Sequence, residues 1–244
     1  MRALLLGLGL AAAITGAGAA DPPAADKRYE TRADHDPDGV GKFYMGREIA
    51  HVMGYQAAGW LERPERDKEE QPAKLLKALE LKPGMVVADV GAGSGFHTFR
   101  MAPLVGPKGK VYAADVQPEM IAMLKERAKK EQAANVEPVL CTETDPKLPA
   151  AACDLIIMVD VYHELSYPFE VAEKLVAALK PGGRLVFVEF RLEDQKVPIK
   201  LVHKMSERQV IREMGAFPDL EHTRTIGTLP WQHVVVFTKK AAKK

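Results

Sequence analysis

The chain has 244 residues, 47% hydrophobic and 27% charged, with a formal net charge of +1. That suits one globular domain with a full core, or one domain plus a small extension. The neutral balance excludes a strong field for nucleic acid or an anionic membrane, and two cysteines, Cys141 and Cys153, exclude a disulfide scaffold.

Residues 1–20 differ from the rest. Arg2 precedes the apolar run Ala3–Leu10, and small residues continue to an A-x-A site at Ala17-Gly18-Ala19. This is the pattern of a secretory signal peptide, which predicts an exported protein, periplasmic or secreted. An uncleaved anchor fits less well, because glycine and alanine make a poor span and no second apolar stretch is long enough to be one. No cysteine follows the apolar run, which argues against a lipoprotein. Without Arg2 the 34 basic residues fall to the same number as the 33 acidic ones. Lys239, Lys240, Lys243 and Lys244 read as a solvated, frayed tail.

Residues 21–40, rich in Asp, Pro and Ala, read as a flexible lead-in. Asp34-His35-Asp36-Pro37-Asp38-Gly39 matches the first half of a calcium loop. Met45 stands where its closing glutamate belongs, so a polar turn is the better reading. Across 41–61, Phe43, Ile49, Val52, Met53, Gln56 and Trp60 recur at three- and four-residue spacings. They predict an amphipathic helix weakened by Gly46, Gly54 and Gly59. With the charged run Leu61–Gln71, this makes 41–71 a helical extension, in which that run is either a solvated face or a lid. A short helix over 72–81 follows, with Pro72 at its first turn and Leu75, Leu76 and Leu79 inward.

From residue 83 the order is regular. Strands are expected at 85–90, 110–115, 136–141, 154–160 and 184–190. Helices are expected at 94–103, 118–133 and 168–180, with a turn at Pro181-Gly182-Gly183. Ser206 caps a helix to Met214, with Gln209 as its capping-box partner. Runs at 220–226 and 232–238 read as strands. Strands alternating with helices imply a parallel sheet covered on both faces. In it the two cysteines lie on non-adjacent strands, and no bridge between them is expected.

The stretch Val86-Val87-Ala88-Asp89-Val90-Gly91-Ala92-Gly93-Ser94-Gly95 joins a buried strand to a helix through alternate glycines. Such a turn brings backbone N–H groups to a ligand with no Cβ in the way. A dinucleotide site needs a small residue where Phe96 stands. The observed spacing instead resembles the first motif of class I S-adenosylmethionine-dependent methyltransferases. Val111–Asp115, Asp154–Asp160 and Leu179–Leu185 resemble that family's later strands, in order, and Trp231–Thr238 resembles its antiparallel last strand.

The resemblance implies a Rossmann-like α/β fold: a seven-stranded, mostly parallel sheet over residues 72–240 with its last strand antiparallel. S-adenosylmethionine is then the cofactor. Asp89, Gly91, Ala92, Gly93 and Gly95 would line its loop, and Asp115 and Val116 its ribose. One of Thr142, Glu143 or Asp145 would hold the adenine amino group. Asp160 is either a cofactor contact or a strand-end turn residue, and His97 either nears the methionine end or opens the helix.

Ligands in such sheets bind beyond the carboxyl ends of the strands. That makes Tyr162, His163 and Glu164 the candidates for the chemistry, with His163 a base that works near neutral pH. Glu189 and Arg191 end the next strand, where either one of them orients a polar substrate or the two form a surface pair, and His51, Tyr55 and Trp60 are candidates to roof a substrate pocket. No metal site is read from the sequence. The resemblance implies a methyltransferase acting on a small-molecule O, N or S acceptor. A non-catalytic binding or scaffold protein of the same fold is the alternative.

Overall fold

The computed structural model describes residues 27–241. The leader at 1–20, the first part of the lead-in, and Lys243 and Lys244 lie outside the described residues.

The described residues open with a small antiparallel sheet, where the rest of the lead-in and a helix are expected. Its strands are β1 (Tyr29–Thr31), β2 (Gly39–Tyr44) and β3 (Arg47–Ala50). The cause is local. Tyr44 faces Arg47 across a two-residue loop, Met45-Gly46, in which both residues have positive φ, 47° and 85°. That is the mirror-image turn whose twist matches paired strands. Of the residues whose spacing suggests a helix, Phe43 and Ile49 are instead buried on this sheet, beside Tyr44 and Ala50. Helical turns come only later, as α1 (Ala58–Leu61) and α2 (Arg66–Glu69).

The main domain follows the expected alternation. Helix α3 (Pro72–Leu79) leads into β4 (Val86–Val90), α4 (Thr98–Val105), β5 (Lys110–Asp115) and α5 (Pro118–Lys130). Then come β6 (Val136–Leu140), β7 (Cys153–Val159), α6 (Pro168–Ala178) and β8 (Leu179–Phe190). Helix α7 (Glu207–Met214), β9 (Leu220–Ile226) and β10 (Gln232–Lys239) complete it. Proline opens α3, α5 and α6, where its missing N–H costs nothing. Ser206 Oγ accepts the Gln209 N–H at 3.1 Å, but the Gln209 side chain bonds Glu213 and the Met45 carbonyl, so the capping box is only half formed. Pro181-Gly182-Gly183 is not a free turn. It bulges within β8, where the pairing to β7 slips between Cys153 and Leu155.

The sheet order is β6-β5-β4-β7-β8-β10-β9, parallel except at β10, which runs antiparallel to both neighbours. Strand β7 shows why Leu155–Val159 is an unbroken apolar run. Ile156 and Met158 pack into the core on one face, and Leu155 and Ile157 into the core on the other. Both cysteines are free, on the non-adjacent β6 end and β7. Lys239 is not frayed: its ammonium donates to the Val176 and Leu179 carbonyls and closes the end of α6. No helix among the described residues is long and apolar enough to cross a membrane.

From β4 the chain winds outward through β5 to β6, then returns to β7 on the other side. The carboxyl ends of β4 and β7 therefore diverge, and the crevice between them is the switch point where such sheets bind ligands.

Candidate active site

A cavity of about 500 Å³ sits in that crevice, lined by Gly91, Gly93, Asp115, Val116, Thr142, Glu143, Asp160, His163, Glu164 and Trp60 among others. Gly91 and Gly93 have φ of 72° and 54°. A Cβ on Gly91 would lie 2.5 Å from a Val161 methyl, and one on Gly93 2.5 Å from Leu61. The cavity wall at these positions is bare backbone for a steric reason. Gly95 answers a different need: its Cβ would strike the Phe99 ring at 2.5 Å, so it lets α4 and α5 close, and neither it nor buried Ala92 lines the cavity.

Asp115 lines the cavity and accepts N–H bonds from Gly93 and Gln117, both 2.9 Å. Burial raises its pKa. Asp89 does not reach the cavity. It is buried beneath the loop, accepts the Thr98 hydroxyl at 2.6 Å, and is pushed up to about 6 by burial. Its work is to fasten the start of α4. Of the adenine candidates, Thr142 and Glu143 line the cavity, while Asp145 turns away to Lys147 at 2.9 Å.

Asp160, after β7, is held at φ 54°, a costly conformation for a residue with a side chain. One carboxylate oxygen accepts from Gln232 Nε2 at 2.6 Å, and the other is buried with no partner. Burial raises its pKa well above the ordinary value, with Glu70 and Glu189 adding to it. Nearby, the charged run that sequence leaves as face or lid is folded inward. Arg66 and Glu70 are only 4% and 3% exposed, paired at 2.7 Å, and Arg63 meets the same carboxylate at 2.6 Å. Arg63, Arg66 and Glu70 all line the cavity. His97 is buried against Arg66, 3.3 Å away, and opens α4 instead of facing the cavity; burial and Arg66 hold its pKa well down.

At the other end stand His163 and Glu164, in a turn after β7, and His203, after β8. The buried Glu189 carboxylate receives His163 Nδ1–H at 2.6 Å and the Tyr162 N–H at 3.0 Å. This orients His163 Nε2 toward His203 Nδ1, 3.3 Å away, and toward Glu164 Oε1 at 3.8 Å. Burial alone would lower the His163 pKa, but Glu189 outweighs it and the value stands raised. Burial pushes Glu164 up to about 7. His203 is lowered by burial and by His163.

Several sequence-derived candidates stand elsewhere. Tyr162 is fully buried, edge-on to Phe187 at 4.9 Å, because the turn after β7 points it into the core and only His163 and Glu164 outward. Glu189 supports His163 from below and does not line the cavity. Arg191 donates to the carbonyls of Leu229, Pro230 and Gln232, tying the loop before β10, so it is structural. His51 and Tyr55 do not line the cavity, although Val52 and Met53 between them do; Trp60 lines it at its mouth, half exposed beneath Arg63. Sequence reasoning missed His203, Gln232 and Arg47. Arg47, in β3, pairs with buried Glu213 at 2.8 Å and donates to the His163 carbonyl at 3.1 Å, so the N-terminal hairpin braces the turn that carries His163.

The donor set fits a ligand with an ammonium group, vicinal hydroxyls and a flat base: an orphan buried carboxylate oxygen, a second carboxylate, and a side-chain-free loop. The fold, its switch-point cavity and this loop are those of an α/β protein built to hold a nucleoside-type cofactor. Residues 81–232 match the family described as methyltransferase domain, and the chain belongs to it. A solved S-adenosylmethionine-dependent methyltransferase from Aquifex aeolicus is 31% identical, with a TM-score of 0.72, over 77% of this chain and all of its own.

S-adenosylmethionine is therefore the cofactor. A protein-L-isoaspartate O-methyltransferase of Methanothrix thermoacetophila is 35% identical over 143 residues, 59% of this chain. A ubiquinone/menaquinone biosynthesis C-methyltransferase of Ectopseudomonas mendocina is 30% identical over 111 residues, 45% of this chain. The chain spans 64% and 43% of the length of these two relatives.

Proposed function

We infer that the protein methylates a small molecule whose accepting atom, O, N or S, carries an ionisable proton. The observation that carries this reading is the joint cavity of about 500 Å³, which has to hold the cofactor and the acceptor's reacting end together. When bound, S-adenosylmethionine supplies a methyl group on a sulfonium, a leaving group that needs no acid.

The chain's own residues bind and orient. Asp115 would receive the ribose hydroxyls, both donors, and Asp160 the methionine ammonium. Thr142 and Glu143 stand at the adenine end. His163, Glu164 and His203 present electron-pair donors where the acceptor enters, and so ease loss of its proton. Trp60 and Leu61 close the mouth and exclude water. Alignment of two held reactants supplies the remaining acceleration.

The leader pattern of residues 1–20 supports export, so this chemistry would run in a compartment to which the cofactor must be supplied. The test is turnover of isotope-labelled S-adenosylmethionine against a panel of phenols, thiols, amines and carboxylic acids, beside an isoaspartyl peptide. Turnover of a small acceptor is expected. Methyl-ester formation on the peptide alone would overturn the reading, and no product from any acceptor would favour a scaffold.

A further inference from the structure

Among the described residues, one group of three side chains can converge ligand atoms on a single point: His163, Glu164 and His203. We propose that these three bind a divalent transition-metal ion of the zinc type at the acceptor end of the cavity. The proposal rests on the methyltransferase reading for its purpose, but not for its chemistry.

The distances carry it. His163 Nε2, His203 Nδ1 and Glu164 Oε1 form a triangle with edges of 3.3, 3.7 and 3.8 Å. Ligand atoms about 2.0–2.1 Å from a tetrahedral ion stand roughly 3.4 Å apart. The triangle contracts by a few tenths of an ångström to fit.

The surroundings are also those of a metal centre. Glu189 accepts from His163 Nδ1, which fixes the tautomer whose Nε2 lone pair faces the triangle; a carboxylate behind a ligating histidine is the usual support. The Met53 N–H holds Glu164 Oε2 at 3.3 Å, leaving Oε1 to the triangle. The nearby cations are occupied elsewhere, Lys200 with Asp38 at 2.7 Å and Arg47 with Glu213 at 2.8 Å. Two histidines and one carboxylate leave a fourth position open to the cavity, the arrangement of a catalytic rather than a structural ion. An acceptor O–H or S–H bound at that position gives its proton to solvent more readily, because the cation stabilises the anion left behind. In that state His163 is a ligand and not the base, and the acceptor is held by its reacting atom.

The experiment uses the tag-free full chain, stripped with EDTA and dialysed. Co²⁺ is titrated with visible absorption as the readout, and Zn²⁺ and S-adenosylhomocysteine by calorimetry. One ion per chain is expected, with the intense visible bands of tetrahedral cobalt. His203→Asn and Glu164→Gln should each weaken Zn²⁺ at least about tenfold, and Glu189→Gln roughly 10- to 100-fold, as loss of a supporting partner does. S-adenosylhomocysteine should bind the His203→Asn protein with unchanged affinity, which also shows that this variant is folded. Absence of cobalt bands in the wild type, or Zn²⁺ affinity unmoved by both His203→Asn and Glu164→Gln, overturns the metal site while leaving the cofactor site standing. Wild-type protein that binds Zn²⁺ but not S-adenosylhomocysteine would instead overturn the methyltransferase reading alone.

Discussion

Asp160→Asn should stabilise the ligand-free protein and weaken its cofactor. Asp160 is partly buried, one of its oxygens is enclosed without a partner, and Glu70 and Glu189 repel its charge. Its folded pKa is raised, so the native state holds the proton more tightly than the unfolded chain. The sign follows: the ionised carboxylate destabilises the fold above the folded pKa, and the penalty vanishes at pH values below the ordinary 3.8.

Asparagine removes the charge, keeps an acceptor for Gln232, and tolerates the positive φ of 54° better than most residues. Relieving a buried, unsatisfied group is worth roughly 1–3 kcal/mol. For a domain of this size each kcal/mol moves Tm about 2–4 °C. At pH 8 the variant should therefore melt several degrees higher, with the gain shrinking toward pH 4. The lost charge-assisted bond to the cofactor ammonium contributes roughly 1.5–3 kcal/mol, or about 10- to 150-fold in Kd. Thermal melts with and without S-adenosylhomocysteine measure both effects. A ligand-free variant that melts below the wild type at pH 8, or binds the ligand equally well, would refute the reasoning.

Two further outcomes follow from buried charges. Arg47→Met leaves the fully buried Glu213 without its ion-pair partner, which should cost about 3–5 kcal/mol, seen as a lower Tm. Adding Glu213→Leu should recover most of that loss, because the pair removed together leaves no orphan charge. Asp89→Asn should flatten the dependence of stability on pH between about 4 and 6. The wild-type carboxyl, raised from 3.8 to about 6, makes stability fall as pH rises through that window by an amount on the order of 3 kcal/mol. Denaturant midpoints at pH 4 and pH 7 check it, and an unchanged slope in the variant counts against the assignment.

The main sheet was legible because it is buried on both faces. The apolar runs within β4, β5, β7 and β8 mark strands covered on both sides, and prolines mark the helix starts. The stretch from Tyr29 to Ala50 was not. Met45-Gly46 is a hairpin turn without the asparagine or aspartate that usually announces it, and the apolar spacing around it mimics a helix turn. In the site, glycine spacing reveals the loop but cannot separate the two glycines that bare the cavity from Gly95, which lets two helices pack. Tyr162, His163 and Glu164 look equivalent in the chain. Only the direction of the turn after β7 sends the tyrosine into the core and the other two toward the cavity.

By itself the sequence determined the fold class and, through the family its motifs resemble, the cofactor, since these depend on runs and spacings local to the chain. The tertiary structure alone decided which charges are buried, that the N-terminal hairpin braces the His163 turn through Arg47, and that His203 meets His163 and Glu164. Those facts rest on contacts between residues about 40 to more than 160 positions apart, and no local pattern encodes them.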